Sequence, residues 1–345
     1  MTMKHPHHRG RRIRRQKGGA AIMFAIMLPV LIGLTALAVD LARIHLTKVE
    51  LQNAADAASM AGARSLSDAG GTPYNWSAAS AKALEVARRN VANGELIQAA
   101  LIETGYWNIP NPSLGIHATA IPGDVPAVRA TITISSSENS GPLGLSFAPI
   151  FGIDDTDVRA SAIAVIAPPA GGTGLFPFVI GTAMLDHFWN KNDGTPVLDE
   201  HGDAPTIHLG SIYTFDGTKE LSGQWTTFQS SQKNPDVPFM RDLIENGNST
   251  RLGIDDLTYL QPGAKATLYR EVPVGTDVAM FIVDDVDTND FEPIKGIVAF
   301  HIDGYSQGGK YISGHFIDMA MFPNLDPGNG NGVDYGAYTP PILVQ

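Results

Sequence analysis

At 345 residues, with 43% hydrophobic and 17% charged side chains, 36 Gly and 23 Pro, the chain is long enough for two or three packed units and too apolar to be disordered throughout. The absence of cysteine excludes a disulfide framework, a Cys-ligated zinc or iron-sulfur centre and a thiol nucleophile. Residues 1–17 hold Lys4, Arg9, Arg11, Arg12, Arg14, Arg15 and Lys17 and no acid, so they carry +7 of a formal −11 and the rest carries −18. A body this acidic argues against nucleic-acid binding, which needs cations on phosphates.

Between Lys17 and Asp40 lie 22 uncharged residues, GGAAIMFAIMLPVLIGLTALAV. At the helical rise they span roughly 33 Å, about one hydrocarbon core. The flanking charge predicts a cytoplasmic arm, with Arg11, Arg12, Arg14, Arg15 and Lys17 as topology residues, and everything after residue 40 outside. Ala36-Leu37-Ala38 offers a signal-peptidase site as the rival reading. That rival is weakened by the length of the run and by helical character that continues through the cut.

Residues 40–66, DLARIHLTKVELQNAADAASMAGARSL, contain no Pro and are rich in helix formers. Asn53 and Asp56 interrupt one face, so no regular coiled-coil seam is expected. Ala54, Ala58 and Gly62 form one row of small residues, and Ala55, Ser59 and Ala63 another. Such rows admit a second backbone at close range. The expectation is therefore a membrane helix extended as a stalk, with these six residues as the packing surface for a partner or a second copy. The alternative is that the alanines lie against the helix's own domain.

The basic arm followed by KGGAAIMFAIMLPVLIGLTALAVDLARIHLTKVELQNAADAASMAGARSL resembles the amino-terminal segment of TadG-like proteins of the tight-adherence (Flp) pilus-assembly system. The resemblance is carried by Leu28-Pro29, by the Ala38-Val39-Asp40 exit, and by Leu51-Gln52-Asn53-Ala54-Ala55-Asp56-Ala57-Ala58. It implies a single-pass protein of the bacterial inner membrane, periplasmic beyond the helix and noncatalytic, whose partners are the lipid bilayer, other pilus-assembly proteins or itself. One departure concerns processing. Related pilins place Glu five residues after the cleaved glycine, where this chain has Met23 or Phe24, so a retained anchor is expected.

After the break at SDAGGTPYNW, residues 77–96 predict a second helix with Ser77 as cap, Ala83, Val86, Ala87 and Val91 on one side, and Asn93-Gly94 as its stop. VRATITISSS and DVRASAIAVIA alternate as strands do and flank the turn-bearing PLGLSFAPIFGIDDT. This order also resembles the continuation of the TadG-like region. PPAGGTG, residues 168–174, is the expected linker. Short β-rich runs then predict a sandwich or small barrel, and NLDPGNGNGVDYG a turn-rich tail. The expected fold class is α+β, divided into residues 1–17 (arm), 18–66 (span and stalk), 67–168 (helix plus small β unit), 169–325 (β-rich outer domain) and 326–345 (tail).

No enzyme, cofactor or metal site is expected. Gly304-Tyr305-Ser306-Gln307-Gly308 spells G-x-S-x-G, with His315 and Asp318 downstream. A nucleophile elbow needs a helix after the serine, whereas QGGKYISGHF reads as a hairpin, so a periplasmic serine hydrolase is the weakest alternative. The acidic loops 192–203, 284–290 and 325–334 lack EF-hand spacing. D-x-S-x-S, the metal-site motif of the von Willebrand A-type domains that TadG-like proteins often carry, is missing. His187, His201, His208, His301 and His315 show no ligand spacing. Trp189, Trp225 and Tyr213 are read as core in preference to a sugar-binding face. The second functional alternative is a signal-cleaved secreted adhesin or structural protein.

Overall fold

The computed structural model describes residues 19–68, 73–191, 193–230, 235–261 and 266–345, so the basic arm and Gly70-Gly71 lie outside the described residues. The architecture is α+β, a long amino-terminal helix followed by β-rich structure. Helix α1, Gly19–Arg64, is continuous through Pro29 and through Asp40. From Ile22 to Val39 its large apolar side chains are exposed, whereas Leu51, Ala54, Ala55 and Ala58 are fully buried.

Helix α2, Trp76–Arg88, starts two residues earlier than a cap at Ser77 would set. Asn75 is the cap, its side chain accepting the Ala78 N–H at 2.9 Å; asparagine suits a cap because its short side chain reaches an otherwise unpaired helix N–H. Asn93-Gly94 does not end the helix. Both residues have positive φ, and they turn a hairpin between Val91–Ala92 and Glu95–Leu96, the arrangement an Asn-Gly pair favours.

Strands β1 (Leu101–Asn108), β2 (Asp124–Ile134) and β3 (Val158–Val165) form an antiparallel sheet, with Ile342–Leu343 added beside β3. The alternating VRATITI and VRASAIAV segments are thus direct neighbours, Ala130 opposite Ala162. One face receives α1: Ala130, Ile132, Val158 and Ala160 pack with Leu51, Ala54 and Ala58. Val125, Ala127, Ile163 and Val165 belong to a separate cluster around Trp107. With both faces occupied, these strands are buried more completely than a half-buried alternation implies.

The second sheet has six strands: β4 (Phe178–Gly181), β5 (Ile207–Leu209), β6 (Gly223–Trp225), β7 (Asp277–Val283), β8 (Gly296–Ser306) and β9 (Tyr311–Phe316). Their order is β5-β9-β8-β7-β4-β6, antiparallel except for the β4–β7 pair. Trp189 and Trp225 sit in its core, and Tyr213 is stacked with Phe215 against it.

Two segments expected to be loose are built in. Gly171–Gly172, inside PPAGGTG, pairs with both Leu252–Gly253 and Leu325–Asp326. The last twenty residues return to the first sheet: Val344 N–H donates to Ile163 O, and Ile163 N–H to Gln345 O, each at 2.9 Å. Tyr338, buried, donates to Asp334 Oδ2 at 2.6 Å and lies 3.1 Å from the Tyr74 hydroxyl.

Candidate functional site

The most developed polar arrangement on α1 lies where its uncharged run ends. Asp40 is only 2% exposed. Its carboxylate accepts three main-chain N–H groups, from Ser146 (2.8 Å), Phe147 (2.9 Å) and Ala148 (2.7 Å). A carboxylate withdrawn from water needs such donors. The donors have the complementary need, since they open a 3-10 turn, Ala148–Phe151, with Pro149 inside it. Arg43 Nη1 reaches Ser146 Oγ at 3.5 Å. The β2–β3 connection is thereby fixed to the helix at the first charge after the apolar run.

Two further ties hold the packed half of α1. Glu50 Oε2 accepts the Asn93 N–H at 2.7 Å, at the hairpin that follows α2. Gln52 Nε2 donates to Asp56 Oδ1 at 2.7 Å and to Ser161 O on β3 at 3.3 Å.

The six small residues all lie between these ties and the end of the helix. Ala54, Ala58, Gly62, Ala55, Ser59 and Ala63 are all buried, and it is this chain's own α2 and first sheet that cover them. A Cβ on Gly62 would stand 2.9 Å from Val128 Cγ1, 3.0 Å from Ala79 O and 3.0 Å from Ala83 Cβ. The close approach that the rows permit is realised inside the fold. Ser59 Oγ donates back to Asp56 O at 3.0 Å, as a buried hydroxyl on a helix must. The topology residues Arg11, Arg12, Arg14, Arg15 and Lys17 lie outside the described residues.

The serine motif forms no elbow. Ser306 ends β8 opposite Tyr311, its Oγ accepting the Gly309 N–H at 3.1 Å in the hairpin turn. His315 pairs across the sheet with His301, five positions back along β8, roughly 17 Å from Ser306 at the strand rise. His315 Nδ1 meets Asp303 Oδ2 at 3.1 Å, and His301 Nδ1 meets Asp277 Oδ1 at 2.6 Å. This cross-strand pair was not legible as a pair from scattered histidines; the signal was their placement about the hairpin. Among the described residues, no group of three or more His, Asp or Glu side chains is arranged to hold a metal ion.

Two family models match the chain. One, described as TadE/G-like Flp pilus-assembly, covers residues 18–65, which is α1. The other, described as Tad-like Flp pilus-assembly, covers residues 61–164, from the end of α1 to β3. No curated protein and no solved structure matches. The matched segments contain the apolar run, the Asp40 joint, the small-residue rows and the three strands that pack on them. Residues 18–164 are thus similar to the TadE/G-like and Tad-like Flp pilus-assembly families.

Proposed function

We propose that this protein serves Flp pilus assembly as a single-pass, noncatalytic membrane component, with residues 1–17 in the cytoplasm and residues 40–345 in the periplasm. The observation that carries the reading is the division of α1. Its uncharged segment presents apolar side chains outward over a membrane-length run, and the same helix then becomes the core of a folded unit. A helix apolar on all sides and uncovered by protein matches a lipid environment. The excess of basic residues before it fits cytoplasmic retention of the arm.

In this role the outer unit is held at a fixed height and rotation above the bilayer, since no flexible linker separates it from the anchor. Contacts with other pilus components then fall to the outer surfaces, because the small-residue rows are already occupied. The lack of native cysteine makes topology directly measurable. A single cysteine in place of exposed Ser137 should react with a membrane-impermeant maleimide from the periplasmic side of intact spheroplasts, and the protein should resist alkaline extraction. A soluble mature chain starting at Val39 would instead establish the secreted alternative.

A further inference from the structure

We propose that the loop 145–153, LSFAPIFGI, enters the same bilayer as α1, seating Phe147, Ile150 and Phe151 in the leaflet nearest the folded unit. The inference rests on the reading of residues 21–39 as the membrane span.

Four observations converge on it. Residues 139–153 contain no ionisable side chain, yet Phe147, Ile150, Phe151 and Ile153 are 39, 79, 71 and 54% exposed. A contiguous apolar projection of this kind on a folded surface marks an interaction site.

Its position selects the occupant. Asp40 holds the loop through the three N–H groups of Ser146, Phe147 and Ala148. On the other side of Asp40, Phe147 shares an apolar crevice with Leu31, Ile32, Thr35, Ala36 and Val39. All five helix residues precede the first charge, so the loop reaches back along the lipid-facing part of α1. Leu31 to Asp40 is about 14 Å of helix, close to half a hydrocarbon core.

The backbone is prepared for a place without water, where every unpaired N–H is costly. Leu145 donates to Asp154 O, Ile150 to Phe147 O, Gly152 to Pro149 O and Ile153 to Ala148 O. Ser146, Phe147 and Ala148 donate to Asp40, and Pro149 has no N–H to satisfy. Finally, the loop is closed at its base, where Leu143–Gly144 pairs with Asp155–Thr156. Arg43, Asp154 and Asp155 stand at that base as the first charges a headgroup layer would meet. A bilayer already surrounds the adjoining helix face in this reading, so lipid is the continuous covering for the loop as well.

Single cysteines replacing Ile150 and Phe151, labelled with bimane in the full-length chain, test the proposal in phosphatidylethanolamine–phosphatidylglycerol vesicles. Leu34→Cys on α1 serves as the lipid reference, and Ile212→Cys, an exposed apolar position on the outer unit, as the water reference. Bimane at 150 and 151 is expected to lose its emission to brominated acyl chains as it does at 34, and to be shielded from iodide. The probe at 212 should show the reverse. Iodide quenching at 150 and 151 while position 34 responds to brominated lipid would overturn the proposal and leave the anchor intact. Iodide quenching at 34 as well would remove both. Shielding from both quenchers at 150 and 151 would mean that a second copy covers the loop, which also overturns the proposal.

Discussion

Gly33 and Gly62 lie on one unbroken helix and occupy opposite environments. A Cβ on Gly33 would meet no atom within 4 Å, whereas one on Gly62 would meet Val128, Ala79 and Ala83 at 3.0 Å or less. The same contrast runs through their neighbourhoods, with large apolar side chains outward around Gly33 and small ones inward around Gly62. Secondary structure alone therefore does not distinguish the two halves. Their surroundings do: the large side chains from Ile22 to Val39 are uncovered by protein, whereas Ala54, Ala58 and Gly62 lie in a surrounding that is itself closely packed.

Substitution at the two glycines should break this symmetry most visibly. Gly62→Leu is expected to destabilise the outer unit by about 3 kcal/mol, since overpacking against main chain leaves little room to relax. Gly33→Leu should alter it by no more than about 0.5 kcal/mol, as befits a site without protein neighbours. Denaturant titration in detergent, followed by tryptophan fluorescence that includes buried Trp107 on the first sheet, reads both. Equal effects would mean that the two halves of α1 are not different environments.

The joint between the halves should give the next effect. Asp40→Ala leaves the N–H groups of Ser146, Phe147 and Ala148 without their acceptor. Deuterium uptake in residues 145–153 should rise strongly while β2 and β3 keep their protection, and Asp40→Asn should fall between. An unchanged loop would show that Asp40 does not hold it.

Acidity sharpens the comparison further, because residues 18–39 contain no titratable side chain and any pH dependence of unfolding belongs to the folded half. Burial raises the pKa of Asp334, against the opposing hydrogen bonds from Tyr338 and the Gly336 N–H. A carboxyl raised in the fold contributes stability below its unfolded pKa and loses it as pH rises through the folded one. The contribution of Asp334 to the midpoint of unfolding should therefore fall as pH rises above about 4, and Asp334→Asn should remove that contribution, read as the difference between the two proteins' pH profiles. A smaller effect belongs to His117, whose pKa is raised by its hydrogen bond to Asp124 Oδ2 at 2.7 Å and by Gly115 O. Its contribution should be complete below pH ~6.5 and disappear as pH rises through the higher folded value. His117→Gln should remove this step; a step that survives would assign it to another group.

Much of this architecture was written in local pattern. Twenty-two uncharged residues followed by helix formers specify α1, and the alternation in VRATITI and VRASAIAV specifies β2 and β3. What pattern could not specify was the partner. The rows Ala54, Ala58, Gly62 and Ala55, Ser59, Ala63 demand a close neighbour, but periodicity does not say whether it belongs to another chain. That choice is made by α2 and by strands some seventy to a hundred residues away. Asn93-Gly94 is ambiguous for a related reason, since its positive φ suits both a helix stop and a hairpin turn. PPAGGTG and the Gly-rich carboxy-terminal segment look like loose chain because glycine is read locally as freedom. Here it permits close approach: a Cβ on Gly172 would lie 2.5 Å from Leu325 Cδ2 and 2.7 Å from Asn324 O. Asp40 did carry a legible signal, the single carboxylate ending the apolar run, although its acceptors' partners lie more than a hundred residues on.

Amide hydrogen exchange on the intact protein in lipid nanodiscs tests the division of α1 most directly. Residues 50–62 should exchange as slowly as β2 and should lose that protection together with it when denaturant unfolds the outer unit, while residues 22–38 stay protected by lipid. Rapid exchange across residues 50–62 with β2 still protected would contradict the account, because it would make the second half of the helix a free stalk.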